Sequence, residues 1–395
     1  MLRLQKAVAL GMIAMVTLVL AACGSEDSKD ASTASNDTST ASAVASTTSD
    51  AESGDGCVAE AQKLADGFRA DVELKAPPTG LDMEALKGKT FWFINSGDTT
   101  FNQDNLAAFT EAGKAAGVNV KAYQARGTVN GMNAGVAQAV AQGADGIVLF
   151  AVDPELVATP LKKALDAGIP VVDAFNGGPD NPLDGLFGHV TMDPSVSGGM
   201  AADWMLADSE CSASAAAFAA TVYQIQKEMG EGAEAEFKRL CPDDCKISLE
   251  SFDLAKVATE LGTKTQSVLR RDSSIDYLFP VFDSGVNYVV PAVQQSGRAD
   301  EIKIIGHDGV DTNLADIRAG GGQDATIAFP PTAWIGWAMF DQLARGALGL
   351  EAADWTIPMR LVDTTNIGED DSELFPAYQG FQDKFQEAWN AADGS

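Results

Sequence analysis

Residues 146–173, GIVLFAVDPELVATPLKKALDAGIPVVD, decide the fold. The uninterrupted apolar run Gly146-Ile147-Val148-Leu149-Phe150 has the pattern of a strand buried on both faces. Residues 155–167 then place apolar side chains at helical spacing and stop at Gly168, a residue suited to the left-handed position that ends helices. A second run, Pro170-Val171-Val172-Asp173, follows at once. Strand, helix and strand within about thirty residues make a unit whose two strands run parallel with the helix on one face.

The same alternation extends in both directions. Strands are expected at 90–95, 118–123 and 188–191, with helices at 105–116 and 129–142 that end at Gly117 and Gly143. A second series begins with a helix from Ser195 and a strand at 215–222. A helix from Gln226, a strand at 246–252, a helix at 257–270, a strand at 277–282, a helix from Val286 and a strand at 302–306 continue it. The expected fold class is α/β, with two doubly wound parallel-sheet lobes. Roughly 340 residues of foldable chain are also long for a single core.

The N-terminus reads as an export signal. Only 16 residues separate Lys6 from Cys23, short of the roughly 20 that a membrane-crossing helix needs. Arg3 and Lys6 precede the apolar run, and Ala21 and Ala22 end it. The four residues Leu20-Ala21-Ala22-Cys23 resemble the lipobox of bacterial lipoproteins, in which the cysteine is lipidated and becomes the mature N-terminus. That resemblance makes residues 1–22 a lipoprotein signal peptide and Cys23 the lipid anchor, with the rest of the chain extracytoplasmic and held to the cell membrane through lipid alone. An ordinary cleaved signal with a chance cysteine is the alternative. Residues 23–56 are then a disordered tether. Val44 is its only large aliphatic side chain and seven acidic residues face Lys29 alone, so it has little apolar surface to bury and repels itself.

Composition excludes some classes. Against 27 Lys and Arg stand 56 Asp and Glu, a formal charge of −29, which disfavours nucleic acid as a partner because phosphate binding needs clustered cations. The acidic runs Asp243-Asp244 and Glu369-Asp370-Asp371 read as solvated surface, since no calcium loop of D-x-D-x-D-G form occurs. Four cysteines besides Cys23 point to disulfides in an exported chain. The expected pairs are Cys241 with Cys245, which closes a tight local loop, and Cys57 with Cys211. Zinc is the rival, but His189 and His307 are the only histidines and neither is near a cysteine in sequence. No metal and no cofactor are expected.

In open parallel sheets ligands sit outside the carboxyl ends of the strands. The residues just past those ends are Thr99, Phe101 and Asn102; Ala151 and Asp153; Phe175 and Asn176; Phe252 and Asp253; Phe282 and Asp283; His307 and Asp308; and Phe329. Rings that stack on C–H faces, beside acceptors for O–H groups, suit a small hydroxylated molecule. The competing reading makes the phenylalanines ordinary core and the aspartates helix N-caps, as Asp308 ahead of Asn313 could be.

From Lys87 onward the order of elements resembles the periplasmic ribose- and galactose-type binding proteins, the type I solute receptors of ABC importers. Phe101-Asn102-Gln103, Ile169-Pro170-Val171-Val172-Asp173, Lys227-Glu228-Met229-Gly230-Glu231-Gly232, Phe282-Asp283-Ser284-Gly285-Val286, Ile305-Gly306-His307-Asp308-Gly309 and Asp324-Ala325-Thr326-Ile327-Ala328 carry the likeness. It implies a hinge of three crossovers near 191–195, 328–330 and 358–361, and a ligand sealed between closing lobes. The first lobe is then 87–192 with 330–358, and the second 193–329 with 359–395. The resemblance also implies that Phe101 stacks on a sugar ring, Asp308 bonds ring hydroxyls, Phe252 lines the pocket and Asp283 belongs to an Asn-Asp pair in the second lobe. It implies a small-molecule ligand, an ABC permease as partner and a monomer.

The sequence departs from the ribose pattern at four places. Asn102 stands for a second stacking aromatic, Phe175-Asn176 for Asp-Arg, Met229 for a sugar-binding arginine and Phe329 for a glutamine. Two arginines lost and two phenylalanines gained make the pocket less polar, so a less hydroxylated or partly aromatic ligand rivals a sugar. A receptor that presents its ligand to a membrane sensor is a further reading. An enzyme is disfavoured, because neither G-x-S-x-G nor G-x-x-x-x-G-K-[ST] occurs and adjacent strand residues such as His307 and Asp308 point to opposite faces. A transcription regulator of the same fold is excluded by the export signal and the acidic charge.

Two further elements are expected. Residues 57–86 form an N-terminal extension whose helix, CVAEAQKLADGFR over 57–69, docks on a lobe with Cys57 tying it down. Trp334, Trp337 and Phe340 recur at helical spacing as core of the first lobe, with Trp334 near enough to the crossover to be a candidate ligand contact.

Overall fold

The computed structural model describes residues 54–179 and 185–391. The signal, Cys23 and the tether up to residue 53 lie outside the described residues. The chain begins with α1 (Gly54–Phe68), a short α2 (Met83–Leu86) and β1 (Thr90–Asn95). There follow α3 (Thr100–Ala116), β2 (Asn119–Gln124), α4 (Val129–Ala141), β3 (Gly146–Phe150), α5 (Ala158–Asp166), β4 (Val171–Ala174) and β5 (Gly188–Thr191). The second series comprises α6 (Pro194–Asp208), β6 (Ser214–Ala219), α7 (Gln224–Leu240), β7 (Lys246–Ser251), α8 (Val257–Arg271), β8 (Tyr277–Pro280), α9 (Asp283–Ser296), β9 (Lys303–Asp308), α10 (Asp311–Ala319) and β10 (Ala325–Ala328). The chain ends with α11 (Thr332–Leu348), β11 (Trp355–Thr356), β12 (Arg360–Asp363) and α12 (Phe381–Asn390).

Two six-stranded sheets result, in the orders β11-β5-β4-β3-β1-β2 and β12-β10-β9-β8-β6-β7. Strand pairs are parallel except β12, which runs antiparallel on the edge beside β10. Helices cover both faces of such sheets, so the central strands have no solvent side; Ile147, Val148 and Leu149 of β3 are all fully buried. Gly117, Gly143 and Gly168 adopt left-handed φ values of 71°, 68° and 72°, as their place after helices requires. The helix expected over 155–167 is divided. Asp153 caps a 3-10 turn at Pro154–Val157, and α5 starts just before Pro160, whose missing N–H is tolerated only in a first turn.

The chain passes between lobes from β5 to α6, from β10 to α11 and from β11 to β12, which makes the three-strand hinge. Two segments correct the expected domain limits. Helix α1 begins at Gly54 rather than 57 and packs on α6, α7 and β12 of the second lobe. Cys57 is disulfide-bonded there to Cys211, which lies just beyond α6, and Cys241 is bonded to Cys245 beyond α7. Arg69 and the Trp204 indole both donate to Asp363 Oδ2, at 2.6 and 3.1 Å, after which the extension reaches the first lobe, where Arg345 donates to the Pro78 carbonyl at 2.7 Å.

The second correction concerns residues 359–395, which do not all belong to the second lobe. Strand β12 does, but α12 packs on the first. Its Phe381, Phe385 and Trp389 recur every four residues and make one apolar stripe. Trp389 stacks on Trp337 with centroids 5.2 Å apart, and its indole donates to the buried Asp341 at 2.8 Å. Trp334 is fully buried between Trp355 and Tyr378 and does not line the cleft between the lobes.

Candidate functional site

Strand order reverses beside β1 in one sheet and beside β6 in the other, and loops after the strands part at such reversals to leave a crevice. The two crevices face each other across a cavity of about 80 Å³. The first lobe contributes Ser96, Gly97, Thr99, Phe101, Asn102, Phe150, Ala151 and Phe175. The second contributes Tyr223, Ile225, Gln226, Met229, Leu254, Val281, Phe282, His307 and Asp308, and Phe329 comes from the crossover after β10.

Thr99 caps α3 by accepting from the Asn102 amide at 3.2 Å, which sets Phe101 in the first turn at the mouth of β1. The Asn102 side chain is engaged within its own lobe: its Nδ2 donates to Asn95 Oδ1 at 2.6 Å and its Oδ1 accepts from the Thr99 hydroxyl at 2.6 Å. Phe101, Phe175 and Phe329 pack as a triangle with centroids 5.3, 5.4 and 5.6 Å apart, and Phe150 lies 5.4 Å from Phe175. The hinge therefore supplies one ring of the aromatic wall.

Among the described residues, three that line the cleft and are not glycine have positive φ: Ala151 at 49°, Phe175 at 59° and Asp308 at 117°. Each such residue costs on the order of 1–3 kcal/mol and persists only where the surroundings impose it. All three sit at the ends of strands, where the backbone bends and brings the residue into the cleft lining.

Asp308 shows what that bend achieves. The expectation that His307 and Asp308 point to opposite faces is corrected: His307 Nδ1 and Asp308 Oδ1 are 3.1 Å apart, because at a φ of 117° the alternation of a regular strand is broken. Burial pulls the His307 imidazole down to about 4, so it is neutral at physiological pH. Whenever Asp308 is ionised it accepts from Nδ1–H, which makes Nε2 an acceptor; Nε2 is buried and without a hydrogen-bond partner among the described residues. Phe329 meets the imidazole edge at 4.8 Å. Desolvation holds Asp308 well above the usual carboxylate range, and among the described residues no Lys or Arg lines the cleft to oppose it.

Asp283 lies one layer below. It accepts from the Gly309 and Val310 amides at 2.8 and 3.1 Å, from Gln323 at 2.9 Å and from the Thr326 hydroxyl at 3.0 Å. These bonds hold the loop after β9 in place. Burial, with the Asp308 charge adding to it, pushes Asp283 up to about 7.

The structure thus brings Phe101, Asn102, Phe175, Met229, Phe282, Asp308 and Phe329 to one cleft, and leaves three expected residues outside its lining. Asn176 is a brace that donates to the Val152 carbonyl at 2.9 Å and to Asp173. Phe252 stands behind the lining, stacked on Phe282 at 6.0 Å. Asp283 is the scaffold just described. Asp153 and Asp253 are N-caps, whereas Asp308 is not, because Val310 occupies the cap position of α10.

Sequence reasoning missed Tyr223, Ile225, Gln226 and Leu254 in the second lobe, together with Val281, and Ser96, Gly97 and Phe150 in the first. The first three follow β6, which ends at Ala219 and not at 222; the rule of looking just past each strand finds them once the strand is shortened. The Tyr223 hydroxyl crosses the cleft and donates to the Gly127 carbonyl of the first lobe at 3.3 Å.

Residues 91–350 match the model of a family described as periplasmic binding protein domain. Among solved structures, the 5-methylthioribose transporter solute-binding protein from Thermotoga lettingae, in complex with 5-methylthioribose, aligns with a TM-score of 0.66 at 15% identity, over 76% of this chain and 98% of that one. An ABC transporter solute-binding protein from Agrobacterium vitis with bound D-fucose aligns at 0.64 and 20% identity, over 73% and 99%. A galactofuranose-binding protein aligns at 0.63 and 17%, over 76% and 98%. At these identities the likeness is one of fold. Among curated proteins, none matches the chain in sequence.

Proposed function

The chain belongs to the periplasmic binding protein family, and from that premise we propose that it is the substrate-binding lipoprotein of an ABC importer. It captures a small solute between its two lobes and delivers it, enclosed, to the permease in the membrane, making and breaking no bond. Cys23 carries the lipid and the acidic tether spaces the lobes from the bilayer. Several acyl chains are needed for such an anchor, because one holds only marginally.

The observation that carries this reading is the cleft lined from both lobes and bridged at its mouth by Tyr223 and Gly127. Loops from two sheets meet on one cavity, and a hinge of three short crossovers lets them separate. The ligand-facing set is Phe101, Phe175, Met229, Phe282, Asp308 and Phe329, with Asn102 and Asp283 as supports. The size class is that of D-fucose or 5-methylthioribose, which two of the structural relatives hold. The four packed rings and Met229, with the Asn102 amide already engaged, favour a solute less polar than a free sugar.

Thermal melting of the full chain against pentoses, hexoses, polyols, nucleosides and small aromatic acids and amines tests the reading, since a solute that binds only the folded state raises the melting temperature. A shift that disappears in Asp308→Ala supports it. Failure of every class to shift the protein contradicts it. Cys23→Ser tests the anchor separately, by moving the protein from the membrane to the soluble fraction.

A further inference from the structure

The chemistry at the deep end of the cleft is one-sided. Asp308 offers a carboxylate and His307 Nε2 a buried acceptor with no partner among the described residues. Among the described residues neither Asp308 nor Asp283 below it has a Lys or Arg partner, and none lines the cleft. A buried carboxylate without a counter-ion is costly, and it either takes up a proton or is relieved by a cation from outside the chain. Around this acceptor end stand the faces and edges of Phe101, Phe175 and Phe329. Aromatic faces attract cations and present apolar surface to the rest of a ligand. The net charge of −29 also draws cations toward the molecule.

We propose that the solute taken by this cleft is a protonated organic amine with an apolar or aromatic body. Its N–H groups are held by Asp308 and His307 Nε2, and its body lies among the phenylalanine rings. This rests on the reading of the cleft as the solute site and names the class of solute. A neutral sugar satisfies the acceptors through hydroxyls but supplies no charge to oppose Asp308, whereas an ammonium group does both.

Isothermal titration and thermal melting of the full-length protein test this, with benzylamine and phenethylamine as probes, benzyl alcohol and phenethyl alcohol as their neutral counterparts, and D-ribose, D-galactose and sorbitol as the polar set. Saturable binding of an amine is expected, with none by the matching alcohol. Asp308→Asn should weaken amine binding about 30-fold, and Phe101→Leu, which keeps apolar bulk but removes the ring face, about fivefold. The melting temperature of each variant without solute reports whether it is folded, and the two variants fail independently. Binding of a sugar or polyol with no response to amines overturns the inference and leaves the receptor reading intact. Amine binding that is equal in Asp308→Asn also overturns it, as attraction by surface charge alone. Silence from all three sets overturns the inference and leaves the receptor reading to the wider screen above.

Discussion

Tyr223 of the second lobe donates its hydroxyl hydrogen to the carbonyl of Gly127 of the first at 3.3 Å. Around this bond the lobes touch: Gly127 has a φ of 69°, and a Cβ placed on it would come within 3.3 Å of Ala255 Cα across the cleft. Burial pushes the Tyr223 phenol up to about 12, so it remains a donor throughout the physiological range. On the proposed function, the pair is a latch on the closed state.

Removing the latch should speed release. Tyr223→Phe deletes one neutral hydrogen bond, worth about 1 kcal/mol, and should raise the dissociation rate of bound solute about fivefold with little change in association. Gly127→Val should weaken binding further by wedging the lobes apart. Stopped-flow release measurements decide, and unchanged rates in both variants would take this contact out of closure.

Asp308 should trade stability for binding. Its φ of 117° and its carboxylate without a cationic partner both burden the folded state. Asp308→Gly relieves both and should raise the stability of the free protein by about 1 kcal/mol while abolishing solute binding. A variant that is both destabilised and able to bind would show that the residue is structural.

Helix α1 should depend on its disulfide. Replacing Cys57 and Cys211 together by Ala opens a loop of 154 residues and should lower the unfolding free energy by about 3 kcal/mol. Limited proteolysis should then release α1 first, with solute affinity unchanged, because the helix packs on α6 and α7 away from the cleft lining. Equal protection of α1 in both proteins would mean that packing alone holds it.

His307 should shape the acid limb of stability. Its imidazole is pulled from 6.5 to about 4 in the fold, so as pH falls through that window the unfolded chain takes up a proton that the native state refuses. Its contribution is full above about 6.5 and is lost toward 4, by on the order of 3 kcal/mol for a shift of this size. Asp283 works the other way, favouring the fold below the ordinary carboxylate range and losing that contribution as pH rises through about 7. Chemical denaturation of the wild type and His307→Asn between those limits should therefore give curves that diverge on the acid side. Parallel curves would contradict the burial of a neutral ring.

The alternation of strands and helices is legible in the sequence because β3 is buried on both faces and has no polar residue to confuse the period, and β4 departs from that only at Asp173. Phe101, Phe175, Phe282 and Phe329 are legible for a related reason, since each follows a strand end that the apolar runs mark. The backbone after those strands is not. Nothing in the identities of Ala151, Phe175 or Asp308 announces a positive φ, yet these bends place their residues in the cleft.

Asp283 and Asp308 illustrate the limit. Both are aspartates at strand ends close to a glycine, but one turns down to hold a loop and the other turns into the cavity. Tertiary contacts alone separate them. The apolar stripe of α12 likewise fits either lobe by pattern, and its seat is chosen by Trp337, Phe340 and the Asp341 carboxylate.

On the proposed function a solute closes the two lobes. Paired labels at Val129 and Val222, both exposed and standing on opposite lobes beside the latch, allow the distance between lobes to be followed in solution. Addition of a solute found by thermal shift should replace a broad distribution of long distances by a single short one, and Tyr223→Phe should partly restore the broad form. A solute that binds the wild type and leaves the distribution unchanged would contradict capture by closure.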